Sequence, residues 1–328
     1  MKKQIFRHQR KDLGVSGDQA FRSEELLGKY TESVYAGTVS FLRRKLTRDL
    51  KGADIAVTGI PFDSATTGRS GARLGPRAIR IASTTLAELD AFPQSIDPCS
   101  LLAIADYGDC YFELEQLHNI VPIAEAHIKS ILAQGAMALT LGGDHFITYP
   151  CLRAYHAHYP QLALIHFDAH PDTWDDAGGL NHGTMFTRAV NEKLIDPNHS
   201  IQIGIRTLVE DDRGIKIVSA EDVGSLGAQA VAEMIIERTA GLPCYLTFDI
   251  DALDPAFAPG TGTPVSGGLT SREALSIIRK LAPLSIVGMD IVEVAPAYDH
   301  AEITALAAAH IAYDVICLIA QNKASRSG

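Results

Sequence analysis

The chain has 328 residues, 46% of them hydrophobic and 21% charged, and a formal net charge of −10. That is the composition of an ordinary soluble globular protein, long enough for one large domain or two small ones. The acidic balance argues against a nucleic-acid surface and for solubility or a cationic ligand.

The first residues, Met1 to His8, are basic but no apolar segment follows. Neither a signal peptide nor a membrane-spanning stretch is therefore expected, and the cytoplasm is the expected location. Residues 1–50 are mixed and charge-rich and read as an irregular arm with short helical pieces, suited to contacts between subunits. From about residue 53 a rhythm begins. Apolar, strand-like runs occupy Ile55–Gly59, Leu101–Ala105, Met137–Leu141, Leu162–Phe167, Ile201–Ile205, Pro243–Ile250 and Leu284–Ile291. Helix-like stretches lie between most of them, at 76–90, 118–134, 146–158, 182–194, 226–239 and 270–282, and the chain closes on 301–322, rich in Ala, Leu and Ile. Gly75-Pro76 puts proline at a first helical position, and Thr270-Ser271-Arg272-Glu273 offers a cap. Continuous apolar strands alternating with helices predict a mainly parallel sheet of about eight strands covered on both faces, a single three-layer α/β/α domain over 51–328. The cysteines Cys99, Cys110, Cys151, Cys244 and Cys317 show no CxxC spacing and none adjoins a candidate ligand. They are expected as buried small hydrophobes in a reducing compartment, not as a zinc site.

Three strand ends carry metal-capable side chains. Leu162–Phe167 runs into Asp168-Ala169-His170-Pro171-Asp172, Pro243–Phe248 into Asp249-Ile250-Asp251, and Met137–Leu141 into Gly142-Gly143-Asp144-His145. Ligands in open parallel sheets bind beyond the carboxyl ends of strands. Alternate residues of an extended chain share a face and lie roughly 6.6 Å apart, a spacing suited to ligands around a pair of ions. A lone Asp-x-His at a strand end is ordinarily a solvated loop, and Asp249 and Asp251 alone would serve as turn formers. The three segments together point to metal. Four converging carboxylates cannot all ionise without a counter-charge, and two divalent cations supply it. Oxygen-rich ligation with two imidazoles and no thiolate favours Mn²⁺ over structural zinc, and a bridging water between two ions becomes a hydroxide nucleophile near neutral pH.

The segments Gly142-Gly143-Asp144-His145, Asp168-Ala169-His170-Pro171-Asp172 and Asp249-Ile250-Asp251-Ala252-Leu253-Asp254-Pro255 resemble the signatures of the ureohydrolase family, the arginases, agmatinases and their relatives. The resemblance implies an arginase-like fold and a homo-oligomer of three or six subunits. It implies two Mn²⁺ ions: one held by His145, Asp168, Asp172 and Asp249, the other by Asp168, His170, Asp249 and Asp251. It implies hydrolysis of a guanidino group to urea and an amine, by attack of the bridging hydroxide on the guanidinium carbon. Glu293, in Ile291-Val292-Glu293-Val294, matches the family's guanidinium-binding glutamate, which would clasp the substrate through two parallel hydrogen bonds. His182, in Asn181-His182-Gly183-Thr184, matches its proton-shuttling histidine. Asp144 is expected behind the ligands; His166 reads equally as a ligand support or an ordinary buried histidine. The glycine-rich run Gly260 to Gly268 lacks phosphate-loop spacing and is expected to shape the pocket beside the second aspartate pair.

The loop Trp174 to Asn181 carries two acidic residues and no Lys or Arg, which suits a small cationic substrate ending in an amine, as agmatine does. The run Gly59 to Gly71 and the run Val292 to Asp299 resemble the bacterial agmatine-hydrolysing members, whose products are putrescine and urea. Pro171 and Asn181 stand where close members carry Thr and Asp. The competing expectations are a ureohydrolase for 4-guanidinobutyrate, arginine or formimidoylglutamate, or a metal-bound scaffold without catalysis. No nucleic-acid or membrane partner is expected.

Overall fold

The computed structural model describes residues 18–29 and 32–327, so the expected arm lies outside the described residues over 1–17 and 30–31. The strands are β1 (Lys45–Leu46), β2 (Ile55–Ile60), β3 (Ile104–Asp109), β4 (Met137–Gly142), β5 (Ala163–Phe167), β6 (Ile201–Ile205), β7 (Lys216–Ser219), β8 (Pro243–Asp249) and β9 (Ser285–Val292). They form one sheet in the order β1-β3-β2-β4-β9-β8-β5-β6-β7, and every neighbouring pair is parallel. The expected sheet of about eight strands thus has nine. The two that no long apolar run announced, β1 and β7, are short strands at the sheet's two edges, largely half-buried, where continuous hydrophobicity is not required.

The helices are α1 (Gln19–Arg22), α2 (Gly75–Ser83), α3 (Pro98–Leu101), α4 (Ile120–Leu132), α5 (Thr148–His156), α6 (Met185–Asn191), α7 (Ala220–Thr239), α8 (Ser271–Ile278) and α9 (Ile303–Ser327). They cover both faces. On one face Ile79 of α2, Val231 of α7, Ile277 of α8 and Ile316 of α9 join Val57, Leu139 and Ile165 of the sheet. On the other, Ile128 of α4, Leu152 of α5 and Phe186 of α6 join Ala56, Ala138 and Leu164. Successive strand residues thus serve opposite cores, which is why the strands read as unbroken apolar runs. By length and composition α9 could cross a membrane, but 72% of its apolar stretch is buried inside the protein, so it is a core helix.

Several element boundaries differ from expectation, the helix expected over 76–90 ending at Ser83 for instance, and two of the differences have a plain local reason. The strand expected from Leu101 starts at Ile104, because the Asp97 side chain caps Cys99 N and Pro98 opens a helical turn. The helix expected from 226 begins at Ala220 under a Ser219–Asp222 capping box and is interrupted at Gly227, whose φ of 79° is not helical. The Thr270–Glu273 cap forms as expected, and all five cysteines are buried free thiols.

Gly143 follows β4 where the backbone of residue 62 crosses it: Asp144 N donates to Phe62 O at 2.7 Å. A Cβ on Gly143 would stand 1.6 Å from that carbonyl oxygen, and backbone cannot swing aside as a side chain can. Gly143→Ala should destabilise by about 1–3 kcal/mol or more, read as a lower thermal midpoint. Gly178→Ala, where a Cβ meets nothing, should stay within about 0.5 kcal/mol.

Candidate metal centre

The four central strands β4, β9, β8 and β5 are neighbours. Asp144 and His145 follow β4, Glu293 follows β9, Asp249 ends β8, and Asp168 follows β5. The chain places β5 away from β4 and fills the gap later with β8 and β9, so residues up to 148 positions apart meet along one rim of the sheet.

The ligand segments are bent, not extended. His170 N donates to Asp168 Oδ1 at 2.6 Å, and Asp251 N donates to Asp249 Oδ1 at 2.8 Å. Each aspartate folds the next two residues back over itself, as short carboxylates do. Asp172 sits in the left-handed region at φ 53°, as does Glu293 at φ 64°. Non-glycine residues held there carry strain that commonly marks functional sites. Alternate spacing therefore selects residues that do meet, but turns bring them together rather than strand geometry.

His145, His166, Asp168 and Asp172 offer atoms within 4.8 Å of one another, and so do Asp168, His170 and Asp251. His145 Nδ1 lies 2.9 Å from Asp168 Oδ2, 3.0 Å from Asp172 Oδ2 and 3.2 Å from Asp249 Oδ2, yet none of these is aligned as a hydrogen bond. The opposite nitrogen is engaged elsewhere. Thr247 Oγ1 donates its one hydrogen to Asp290 Oδ1 at 2.5 Å, so it accepts from His145 Nε2–H at 2.8 Å. Nδ1 therefore faces three carboxylate oxygens in a buried space, where it holds a proton in the metal-free fold and would offer its lone pair to a cation that replaces that proton. In the second group His170 Nδ1 lies 3.3 Å from Asp168 Oδ1 and 3.2 Å from Asp251 Oδ2. Asp168 turns one oxygen to each group. His166 supports it: Gln202 Nε2 donates to His166 Nδ1 at 3.0 Å, and His166 Nε2 then donates to Asp168 Oδ2 at 2.7 Å. With both nitrogens engaged and burial pushing its pKa down to about 4, His166 is a neutral support and not a ligand.

The electrostatics match. Burial and the Asp168 charge push Asp172 up to about 7. Burial and neighbouring carboxylates likewise raise Asp249 and Asp251. Against their own burial, the carboxylates lift His170 to about 12 and His145 well above the imidazole range. Asp168 runs the other way: despite burial, the histidines around it hold it well below the usual carboxylate range.

Beside the cluster is a cavity of about 280 Å³. His170, Asp172 and Asp249 line it on the metal side, and Thr67, Trp174, Asn181, His182 and Thr263 line its walls. Thr263 Oγ1 reaches Asp251 Oδ2 at 3.3 Å, so the glycine-rich run does shape the pocket there. The acidic residues of the 174–181 loop point elsewhere: Asp175 accepts from Ala177 N at 2.9 Å, and Asp176 accepts from Arg188 Nε at 2.7 Å. Asn181 Oδ1 accepts from Gly183 N at 2.8 Å, forming the turn an aspartate would form without its charge.

Glu293 is fully buried. Its Oε1 accepts from His145 N and from His182 Nδ1, each at 2.8 Å, while Oε2 is buried without a partner. The two-bond clasp expected of Glu293 is therefore not open in this arrangement; one oxygen is free. Burial opposes charge on His182, but Glu293 outweighs it and lifts the ring to about 9. Thr67 N–H, 2.9 Å from Nε2, pulls the other way, because it needs the Nε2 lone pair. Asp144, raised by burial and by the Glu293 charge, accepts from Ala65 N at 2.8 Å and so ties the loop bearing Thr67 to the rim. Sequence reading assigned no role to Thr67, Gln202, Thr247 or Asp290. Asp290 and Gln202 left a signal, each a polar side chain inside an apolar strand run.

Residues 53–318 match the Arginase family. The chain is 53% identical to an agmatinase of Chromobacterium violaceum over 95% of its own length and 98% of that protein's. It is similar to the crystal structure of a hypothetical agmatinase from Burkholderia thailandensis, with a TM-score of 0.93 and 55% identity over 94% of this chain and 99% of that one. A proclavaminate amidino hydrolase from Streptomyces clavuligerus matches with a TM-score of 0.84 and 36% identity over 89% of this chain and 100% of that one.

Without metal, the raised Asp172, Asp249, Asp251, His145 and His170 hold protons in the fold that the unfolded chain releases at lower pH. Their contribution is present at low pH and is lost as pH rises; the opposite contribution of Asp168 lies below its unfolded pKa of about 3.9, and the depressed His127 and His166, which oppose the trend below about 6.5, are outnumbered. Chelated protein should therefore melt at a lower temperature near about pH 8 than near about pH 5.5. Divalent metal, which replaces those protons, should raise the midpoint most at the higher pH. Melting curves by circular dichroism measure both.

Proposed function

The chain belongs to the arginase family, and from that premise we propose that it is a ureohydrolase that converts agmatine and water to putrescine and urea with two manganese ions. The observation that supports the metal most directly is His145 Nδ1 turned towards three buried carboxylate oxygens. The donor set fits: His145, Asp168, Asp172 and Asp249 would hold one ion, and Asp168, His170, Asp249 and Asp251 the other. Carboxylates and imidazoles without thiolate suit manganese. When bound, the ion pair supplies the Lewis acidity that makes water nucleophilic near neutral pH.

The chain's own groups do the rest. Glu293 Oε2 is the open acceptor for the substrate's guanidinium, and the bonds on Oε1 fix the carboxylate's orientation beforehand. A charged, buried acceptor with a vacant lone pair favours a cationic donor over a neutral one. His182, bare at Nε2 where it accepts from Thr67 N–H, takes up a proton there and delivers it to the departing amine, its charged form supported by Glu293. The substrate's tail lies against the wall made by Trp174, Asn181 and Thr263. Among the described residues lining the cavity there is no Lys or Arg to meet a carboxylate. That favours agmatine over 4-guanidinobutyrate, arginine or formimidoylglutamate, as does the likeness to the Chromobacterium violaceum agmatinase. We take 51–328 as the catalytic unit of a cytoplasmic trimer or hexamer; free buried thiols suit that compartment.

Manganese-loaded protein should release urea from agmatine faster than from the three carboxylate-bearing alternatives; equal rates would remove agmatine as the preferred substrate. Asp249→Ala should lose bound metal and turnover together. Glu293→Gln should keep its metal while kcat/KM falls roughly 10²–10³-fold, the effect of removing one partner from a buried charged pair. Metal analysis alongside a urea assay separates the two.

A further inference from the structure

Both nitrogens of His182 are already occupied. Nδ1 faces Glu293 Oε1 at 2.8 Å, and Nε2 faces the backbone N and the Oγ1 of Thr67 at 2.9 and 2.7 Å. His182 is buried at 7% exposure, whereas Thr67 is exposed and lines the cavity in front of it. We propose that the Thr67 hydroxyl is the group that meets the departing nitrogen of the substrate, passing protons between it and His182 Nε2. This rests on the hydrolytic reading above and names a catalytic residue within it.

The loop holds Thr67 in place from both sides. Ala65 N donates to Asp144 Oδ2 at 2.8 Å, and Ala65 O accepts from His182's own backbone N at 3.3 Å. Beyond Thr67, a Cβ on Gly68 would stand 2.9 Å from Thr263 Cγ2 and 3.0 Å from Gly262 O, so the loop is packed against the opposite wall. Gly71 N donates to the buried Asp63 at 2.8 Å. Hydroxyl and imidazole therefore meet through a closed set of backbone bonds rather than through two free side chains.

A hydroxyl donates and accepts at once, so it transmits a proton without holding a charge. As the C–N bond breaks, the departing nitrogen keeps the bonding pair and takes the proton of Thr67 Oγ1. Oγ1 takes the proton of His182 Nε2, leaving a neutral ring whose Nδ1–H stays on Glu293. The attacking water, losing a proton as it adds to the guanidinium carbon, has by then loaded that proton onto His182 Nε2 along the same path. The second Nε2 contact suits this cycle: Thr67 N–H occupies the lone pair while the ring is neutral.

Thr67→Val removes the hydroxyl and keeps the backbone donor; Thr67→Ala is a second such variant, and Thr67→Ser keeps the hydroxyl. With manganese content and thermal midpoint unchanged, Thr67→Val and Thr67→Ala should lose about 10²–10⁴-fold in kcat, the span of general acid–base catalysis, with little change in KM. Thr67→Ser should recover most of the loss. A nitroaryl guanidine, whose departing nitrogen needs less proton transfer as the C–N bond breaks, should lose markedly less than agmatine does on Thr67→Val. A Thr67→Val enzyme with unchanged kcat on agmatine, or with the same loss on both substrates, would overturn the relay. Wild-type protein that releases no urea from any guanidino compound would instead overturn the hydrolytic reading, and the relay with it.

Discussion

The ring nitrogen Nδ1 of His145 faces three buried carboxylate oxygens at about 3 Å, and most of the rim is arranged around that crowding of charge. Burying unpaired charge is among the most unfavourable events in folding, and neighbouring carboxylates make it worse. A cation held among these groups would resolve it. The sheet supplies four adjacent strand ends, turns draw the aspartates inward, and two residues accept left-handed backbone to complete the ring. None of these features has an evident use without positive charge at the centre.

The same logic extends outward. Asp290 through Thr247 fixes which nitrogen of His145 carries hydrogen, and Gln202 fixes the same for His166 behind Asp168. Each polar support is fully buried and reached from a different strand, so the orientations are set before anything binds. A histidine free to choose its tautomer would offer its lone pair only part of the time.

Glu293 joins the two halves of the site. One oxygen holds the backbone of His145 on the metal side and the ring of His182 on the proton side. The other is buried without a partner. A single carboxylate, at φ 64°, thus ties the rim of the cluster to the His182 ring, and Asp144 and the loop bearing Thr67 close the network from the far side. As members of one network these residues should not act additively.

Much of this protein was written in its sequence. Unbroken apolar runs between helices imply a parallel sheet with two cores, because both faces of such strands are buried. Asp168, His170, Asp172, Asp249, Asp251 and His145 stand at the ends of those runs, where a parallel sheet leaves its crevice. Periodicity is a local property, and so are these positions. The tertiary structure decided what local pattern cannot carry. The edge strands β1 and β7 have no continuous apolar run to announce them. The aspartates curl through turns that their own carboxylates make. The acidic pair at 175–176 is taken up by a cap and by Arg188, leaving Trp174 and Asn181 to the pocket. Thr67, Gln202, Thr247 and Asp290 take their roles only from partners far along the chain, such as His182, 115 positions from Thr67. Hydrogen bonds reach only about 3 Å, so which distant groups come within that reach is settled by the order in which the strands lie side by side.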